Sequence, residues 1–209
     1  MPADCETWIE LAKSFPSIVT AITTVVGVTI AARGLNTWRA ETLGKRKVEL
    51  AEEVLADFYQ ARDIINAARS PGSFGYEGET RKKEGWETEE DTRSLNAYFA
   101  TAERLNAKSD FFAQLHARRY RFIARFGKKA AQPYDDLHKV YVEIIVAVRM
   151  LLSTYRSRAE GTLPSGFRKW QETIWGGMAE DDLIPKKLDQ IVSAIEATCG
   201  PVLQEIANK

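Results

Sequence analysis

The chain has 209 residues, and its 29 lysines and arginines are matched by 29 aspartates and glutamates. That balance leaves no global charge to recruit nucleic acid and argues against it as a partner. Two cysteines and two histidines exclude a disulfide scaffold and a histidine- or cysteine-rich metal fold.

Residues 1–13 are a short N-terminal segment carrying Asp4, Glu6 and Glu10 against Lys13. That is not the basic start of a cleaved signal peptide, and Ala31-Ala32-Arg33 is a poor cleavage context. Ser14 to Ala32 contains no charged residue. As a helix it would cover roughly 28 Å, near the ~30 Å of a bilayer's hydrocarbon core. Ser17, Thr20, Thr23, Thr24, Gly27 and Thr29 dilute its hydrophobicity, but threonine hydroxyls bond back to carbonyls one turn earlier and are tolerated in lipid. The alternative is a buried helix of a soluble bundle. The expectation is one transmembrane anchor at 14–33, with the lipid bilayer as a partner and Trp8 and Trp38 near its two interfaces. Arg33, Arg39, Lys45, Arg46 and Lys47 come after the stretch and only Lys13 precedes it, which puts residues 1–13 outside and residues 34–209 on the cytoplasmic side of the inner membrane. Thr23, Gly27 and Ala31 recur every fourth residue, a small-residue ladder for a homo-oligomer of such helices.

From Leu43 to Ala68 apolar residues recur at three-to-four spacing, among them Leu50, Val54, Phe58, Ala61 and Ile65, and predict an amphipathic helix. It can run on from the anchor, with Gly34 and Gly44 as weak points, and Pro71-Gly72 stops it. Residues 70–91 form a long loop, either mobile or an anion cradle built from backbone amides. It lacks a phosphate-loop motif, yet Phe74, Tyr76 and Trp86 are unusual in a solvated linker.

Thr92 to Phe126 reads as one long helix ending at Gly127. No acid lies between Asp110 and Asp135, while Arg118, Arg119, Arg121 and Arg125 accumulate. This basic stretch is either a solvated face balanced by Glu84, Glu87, Glu89, Glu90 and Asp91, or a binding face for an anionic ligand such as a lipid headgroup. Pro133 opens a further helix at its first position, with Leu137, Ile144, Val148, Leu151 and Tyr155 on its buried stripe. Phe167, Trp170 and Ile174 mark a short amphipathic turn, and Trp175 packs or meets a partner. Leu183 to Ile206 keeps helical period, with Gly200-Pro201 expected to kink or split it. Cys199 lies on the apolar stripe, where a thiol is inert. No period-two strand pattern appears. The fold class is all-α: an anchor followed by an antiparallel bundle of four to five helices.

No sequence motif of an enzyme, a metal site or a cofactor site is present. Asp135-x-x-His138 is one carboxylate–histidine pair where a di-iron bundle needs two, and Glu196 shows no acid–base partner. The segments RSPGSFGYEGETR, AERLNAKSDFFAQLHARRYRFIARFG and IEATCGP resemble those of a family of bacterial proteins with one N-terminal membrane helix, a helical cytoplasmic region and no assigned activity. The resemblance covers Trp38 to the C-terminus. It implies this layout and mildly favours a site made of Arg69, Phe74, Gly75, Glu77, Gly78 and Arg81, with Arg118, Arg119 and Arg121 nearby. Two function classes remain. One is a membrane-tethered interaction or regulatory module with a cytoplasmic protein partner. The other is a binder of an anionic ligand (nucleotide, RNA or lipid headgroup), with or without turnover, using the loop at 70–91 and the arginine-rich helix.

Overall fold

A computed structural model describes residues 3–72, 74–159, 161 and 164–207, with the side chains of 3–19, 21, 22, 40, 158, 159 and 205–207 outside the description. The expectation for Trp8 concerns a side chain outside the described residues. The described chain is all helical and has no strand. Its elements are α1 (Ala3–Ala68), α2 (Glu89–Asn106), α3 (Ser109–Phe126), a 3-10 turn (Lys129–Ala131), α4 (Gln132–Ala159), α5 (Phe167–Ile174) and α6 (Leu183–Ala207). Two compact units divide the chain, Met1–Lys47 and Val48–Lys209.

In the first unit the backbone is helical from Ala3 onward, and Gly34 and Gly44 do not break it. Every described side chain from 23 to 39 is exposed, including Val25, Val26, Val28 and Ile30. The threonines are satisfied internally: Thr24 Oγ1 donates to the Thr20 carbonyl at 2.8 Å and Thr29 Oγ1 to that of Val25 at 2.7 Å. Among the described residues no helix is long and apolar enough to cross a membrane. The anchor expected at 14–33 is therefore not supported. The uncharged run described without a gap, Thr23 to Ala32, covers about 15 Å, half a bilayer core. The side chains of 14–19, 21 and 22, which would supply the rest, are outside the described residues.

The second unit is a helical bundle with two apolar clusters, and α4 contributes to both. The first half of α4, with Tyr134, Leu137 and Ile144, packs with Val54, Phe58 and Ile65 of α1, Leu115 and Phe122 of α3, and Leu188 and Ile195 of α6. Its second half, with Val148, Leu151 and Tyr155, packs with Leu95 and Tyr98 of α2 and with Phe167 and Ile174 of α5. A helix stripe can face two clusters in succession because 3.6-residue periodicity keeps one side aligned over many turns.

The single helix expected from Thr92 to Phe126 is two helices, broken at Ala107-Lys108. The break lets Leu95, Tyr98 and Ala102 join one cluster while Leu115 and Phe122 join the other. Asn106 is a weak helix former, and Ser109-Asp110 supplies residues favoured at a new start. α6 runs unsplit through Pro201 to Ala207. Proline removes only the amide donor to the Ala197 carbonyl, and Ala197 is an exposed residue.

Arg69, just past the end of α1, is the largest fully buried side chain among the described residues, at 1 % exposure. Its Nε donates to the Thr173 carbonyl at 2.8 Å, and its Nη2 reaches the Glu172 carbonyl at 3.0 Å and both Asp182 carboxylate oxygens at 2.9 Å. The Gly176 amide returns a bond to the Arg69 carbonyl at 2.8 Å. Asp182 also accepts from the Ile184 amide at 3.1 Å, which caps α6. One guanidinium thus joins the ends of α1 and α5 to the start of α6. Removing one partner of such a buried pair strands a charge. Asp182→Ala is expected to lower unfolding free energy by roughly 3–5 kcal/mol in urea titrations. Arg121→Ala, at a 67 % exposed side chain, should stay within about 0.5 kcal/mol of the wild type.

Candidate functional site

The loop between α1 and α2 is tied down by two arginines and three glutamates. Arg104, in the last turn of α2, aims its guanidinium back into the loop. Its Nη1 donates to the Ser70 carbonyl at 2.8 Å, its Nη2 to that of Gly72 at 2.6 Å, and its Nε and Nη2 to the Glu77 carboxylate at 2.8 and 2.5 Å. Glu77 also accepts from the Phe74 amide at 2.8 Å. The Arg104 hydrogen bond holds the Glu77 carboxyl below the usual carboxylate range, and the Phe74 amide adds to it. Glu103, on the preceding residue, receives the Gly78 amide and the Thr80 hydroxyl, both at 2.6 Å.

Gly78 makes this approach possible. Its φ is +81° and a Cβ there would sit 2.3 Å from the Asn96 carbonyl oxygen. Only glycine satisfies both conditions.

The second half of the loop closes around Glu87, whose side chain has no exposed surface. Arg81 pairs with it in a fork, Nη1 to Oε1 at 2.8 Å and Nη2 to Oε2 at 2.5 Å. The Glu84 amide donates to it at 2.8 Å and the Thr92 hydroxyl at 3.2 Å. Together they hold the Glu87 carboxyl down to about 2, with the Arg81 hydrogen bond the largest cause. Thr88 and Asp91 then form a reciprocal capping box that starts α2, with Glu89, Glu90 and Asp91 in the dipole-favoured first turn. Trp86 stacks on Tyr155 at 6.5 Å with the Arg156 guanidinium over its ring. Phe74 and Tyr76 stay open to solvent, stacked at 5.8 Å with planes 5° apart and about two-thirds exposed.

Among the residues expected to bind an anion, Arg69, Arg81, Arg118 and Arg119 each face a carboxylate of the chain itself. Arg118 pairs with Asp57 and lies 3.6 Å from Glu53, Arg119 pairs with Asp135 at 2.9 Å, and Arg121 sits 3.8 Å from Glu53. The acidic run expected to balance the basic helix does other work: Glu87 serves Arg81, and Glu89, Glu90 and Asp91 start α2. Arg81 and the arginines of α3 pair with different carboxylates. Gly75 lies in the turn between the two stacked aromatics and has open space around its Cα.

Arg104, Glu103 and Asp182 are the residues that sequence reasoning missed, and Glu87 enters it only as a counter-charge to the basic helix. Asp182 has a local signal, an aspartate directly before the first turn of a helix. The others pair across gaps that no spacing rule covers.

Elsewhere chemistry is muted. The Cys199 thiol is fully buried and pushed up to about 11 by burial, as an inert core thiol should be. Glu196, for which the sequence offers no partner, accepts the Tyr59 hydroxyl at 2.6 Å. A groove of about 630 Å³ between α4 and α6 holds Lys139 and Lys187, paired with Asp136 and Glu143 respectively. A second groove of about 390 Å³ lies between α3 and α4, floored by Phe112, Leu115, Leu137 and Tyr141 with His116 and His138 at its side.

No family model matches the chain, and neither a curated protein nor a solved structure matches it.

Glu87 sets an acid limit. Its carboxyl is depressed in the folded state, so its contribution is complete above the ordinary value of 4.5 and is lost as pH falls through about 2. Glu87→Gln is expected to be less stable than the wild type at neutral pH. Its stability should also fall less between pH 4.5 and pH 2, as read by circular dichroism across that window.

Proposed function

We propose that this protein is a membrane-attached helical interaction module, with the apolar part of α1 as its attachment and the bundle as its cytoplasmic working part. The observation that carries this reading is the exposure of α1. Val25, Val26, Val28 and Ile30 are 50 to 66 % exposed, and no described residue covers them. Apolar surface of that extent is costly in water at about 25 cal/mol per Å² and points to a lipid or protein contact. The back-bonded threonines fit lipid, because their hydroxyls need no outside partner. The basic residues from Arg33 to Lys47 favour the cytoplasmic side for the bundle C-terminal to them. In the bundle, the stacked Phe74 and Tyr76 are the feature suited to a protein partner, since rigid aromatic side chains make strong contact points at low entropic cost.

A second copy is the other occupant that an observation favours. A Cβ on Gly27 would meet nothing within 4 Å, so the side carrying Thr23, Gly27 and Ala31 is open to close helix approach. The anionic-ligand reading is weaker, because the arginines it needs are engaged with carboxylates.

Flotation of the purified full chain with phosphatidylethanolamine–phosphatidylglycerol vesicles tests the proposal. The wild type is expected in the floating fraction. Val25→Asp with Val28→Asp should reduce that fraction at least tenfold, because a charge at the centre of a lipid-facing helix costs about 2.5–3.5 kcal/mol. Wild-type chain recovered at the bottom of the gradient would overturn it. In that case Gly27→Leu and sizing of the lipid-free chain would show whether a second copy covers the helix.

A further inference from the structure

The chain contains two histidines, one on α3 and one on α4, and the fold brings them together. The ring centres of His116 and His138 are 6.3 Å apart, with planes inclined by 46°. Both side chains are exposed, so neither imidazole is a satisfied core group. The sequence places Asp135 one turn before His138, but Asp135 is held by Arg119 at 2.9 Å. The partner on offer to His138 is the other histidine.

We infer that His116 and His138 form a two-histidine site for a divalent transition-metal ion of the zinc, nickel or copper class, bridging α3 and α4. Such an ion sits about 2 Å from an imidazole nitrogen, which puts it about 3 Å from each ring centre and the two centres about 5 to 6 Å apart. The observed separation lies just beyond the long end of that range, and a small side-chain rotation of two exposed residues shortens it. Neutral imidazole is the common protein ligand for these ions. Among the described residues no group of three or more His, Cys, Asp and Glu converges, so water fills the remaining positions and the site is of modest affinity. The open positions border the apolar floor of Phe112, Leu115, Leu137 and Tyr141. Tyr120 packs edge-on against His116 at 6.2 Å and limits how far that ring can swing away. The site is independent of the membrane proposal, because it lies wholly within the second unit.

The test is calorimetric titration of nickel chloride and zinc chloride into the full, untagged chain, with His116→Ala and His138→Ala as variants. One ion per chain is expected, with affinity lowered at least tenfold by either substitution. The ion should also raise the melting temperature of the wild type and leave both variants unmoved, since a bridge stabilises only when both ends are present. Both histidines are exposed, so the alanine variants are expected to fold, which circular dichroism checks. Absence of binding at millimolar ion would overturn the inference. So would binding that survives in the double variant, which would assign the ion to surface carboxylates.

Discussion

A guanidinium cannot be left alone in a protein interior, and Arg69 is 1 % exposed. An unpaired charge there would cost several kcal/mol, a large share of a typical domain's net stability. The chain meets that constraint with one carboxylate and two backbone carbonyls. Those groups come from the end of α5 and from the residue before α6, so the positions of three helix ends are fixed relative to one charged group. Hydrophobic packing brings the helices together but tolerates sliding. A forked, directional donor does not.

The same device recurs in the loop on a smaller scale. Arg104 gathers the carbonyls of Ser70 and Gly72, and Arg81 locks onto a Glu87 that has no exposed surface. The consequence for function is subtractive. A glycine-rich loop with a basic run at Arg81-Lys82-Lys83, beside a basic helix, has the composition of an anion site, yet in this fold Arg81 and the α3 arginines Arg118 and Arg119 neutralise carboxylates of the chain. The stacked Phe74 and Tyr76 stay outward, so this loop offers a rigid aromatic pair as well as the exposed Lys82 and Lys83.

Much of the architecture is legible in the sequence because it rests on local periodicity. The stripes of α1 from Leu50 to Ala68 and of α4 from Leu137 to Tyr155 are buried as their spacing predicts, and Pro133 lies in the first turn of α4. The failures share a cause in non-local geometry. Helical period from Thr92 to Phe126 does not reveal that the two halves serve different clusters, and the Asn106–Ser109 break becomes intelligible only once both clusters are known. Pro201 reads as a breaker, but its cost depends on whether the freed carbonyl faces solvent. The arginines are the largest case: Arg69 and Asp182 are separated by most of the bundle, and their pairing has no local signature. The sequence pairs His138 with Asp135 and says nothing of His116, and only the fold places the two histidines side by side.

Amide hydrogen exchange on the full chain addresses the central claim most directly, namely that buried and half-buried arginines turn an irregular segment into a fixed part of the bundle. The amides of Phe74, Gly78 and Glu84 donate to Glu77, Glu103 and Glu87, and that of Gly176 donates to Arg69. These four are expected to be protected, and Arg104→Ala is expected to release Phe74 and Gly78 while Gly176 keeps its protection. Exchange of Phe74, Gly78 and Glu84 at the rate of an unstructured peptide in the wild type would contradict the claim.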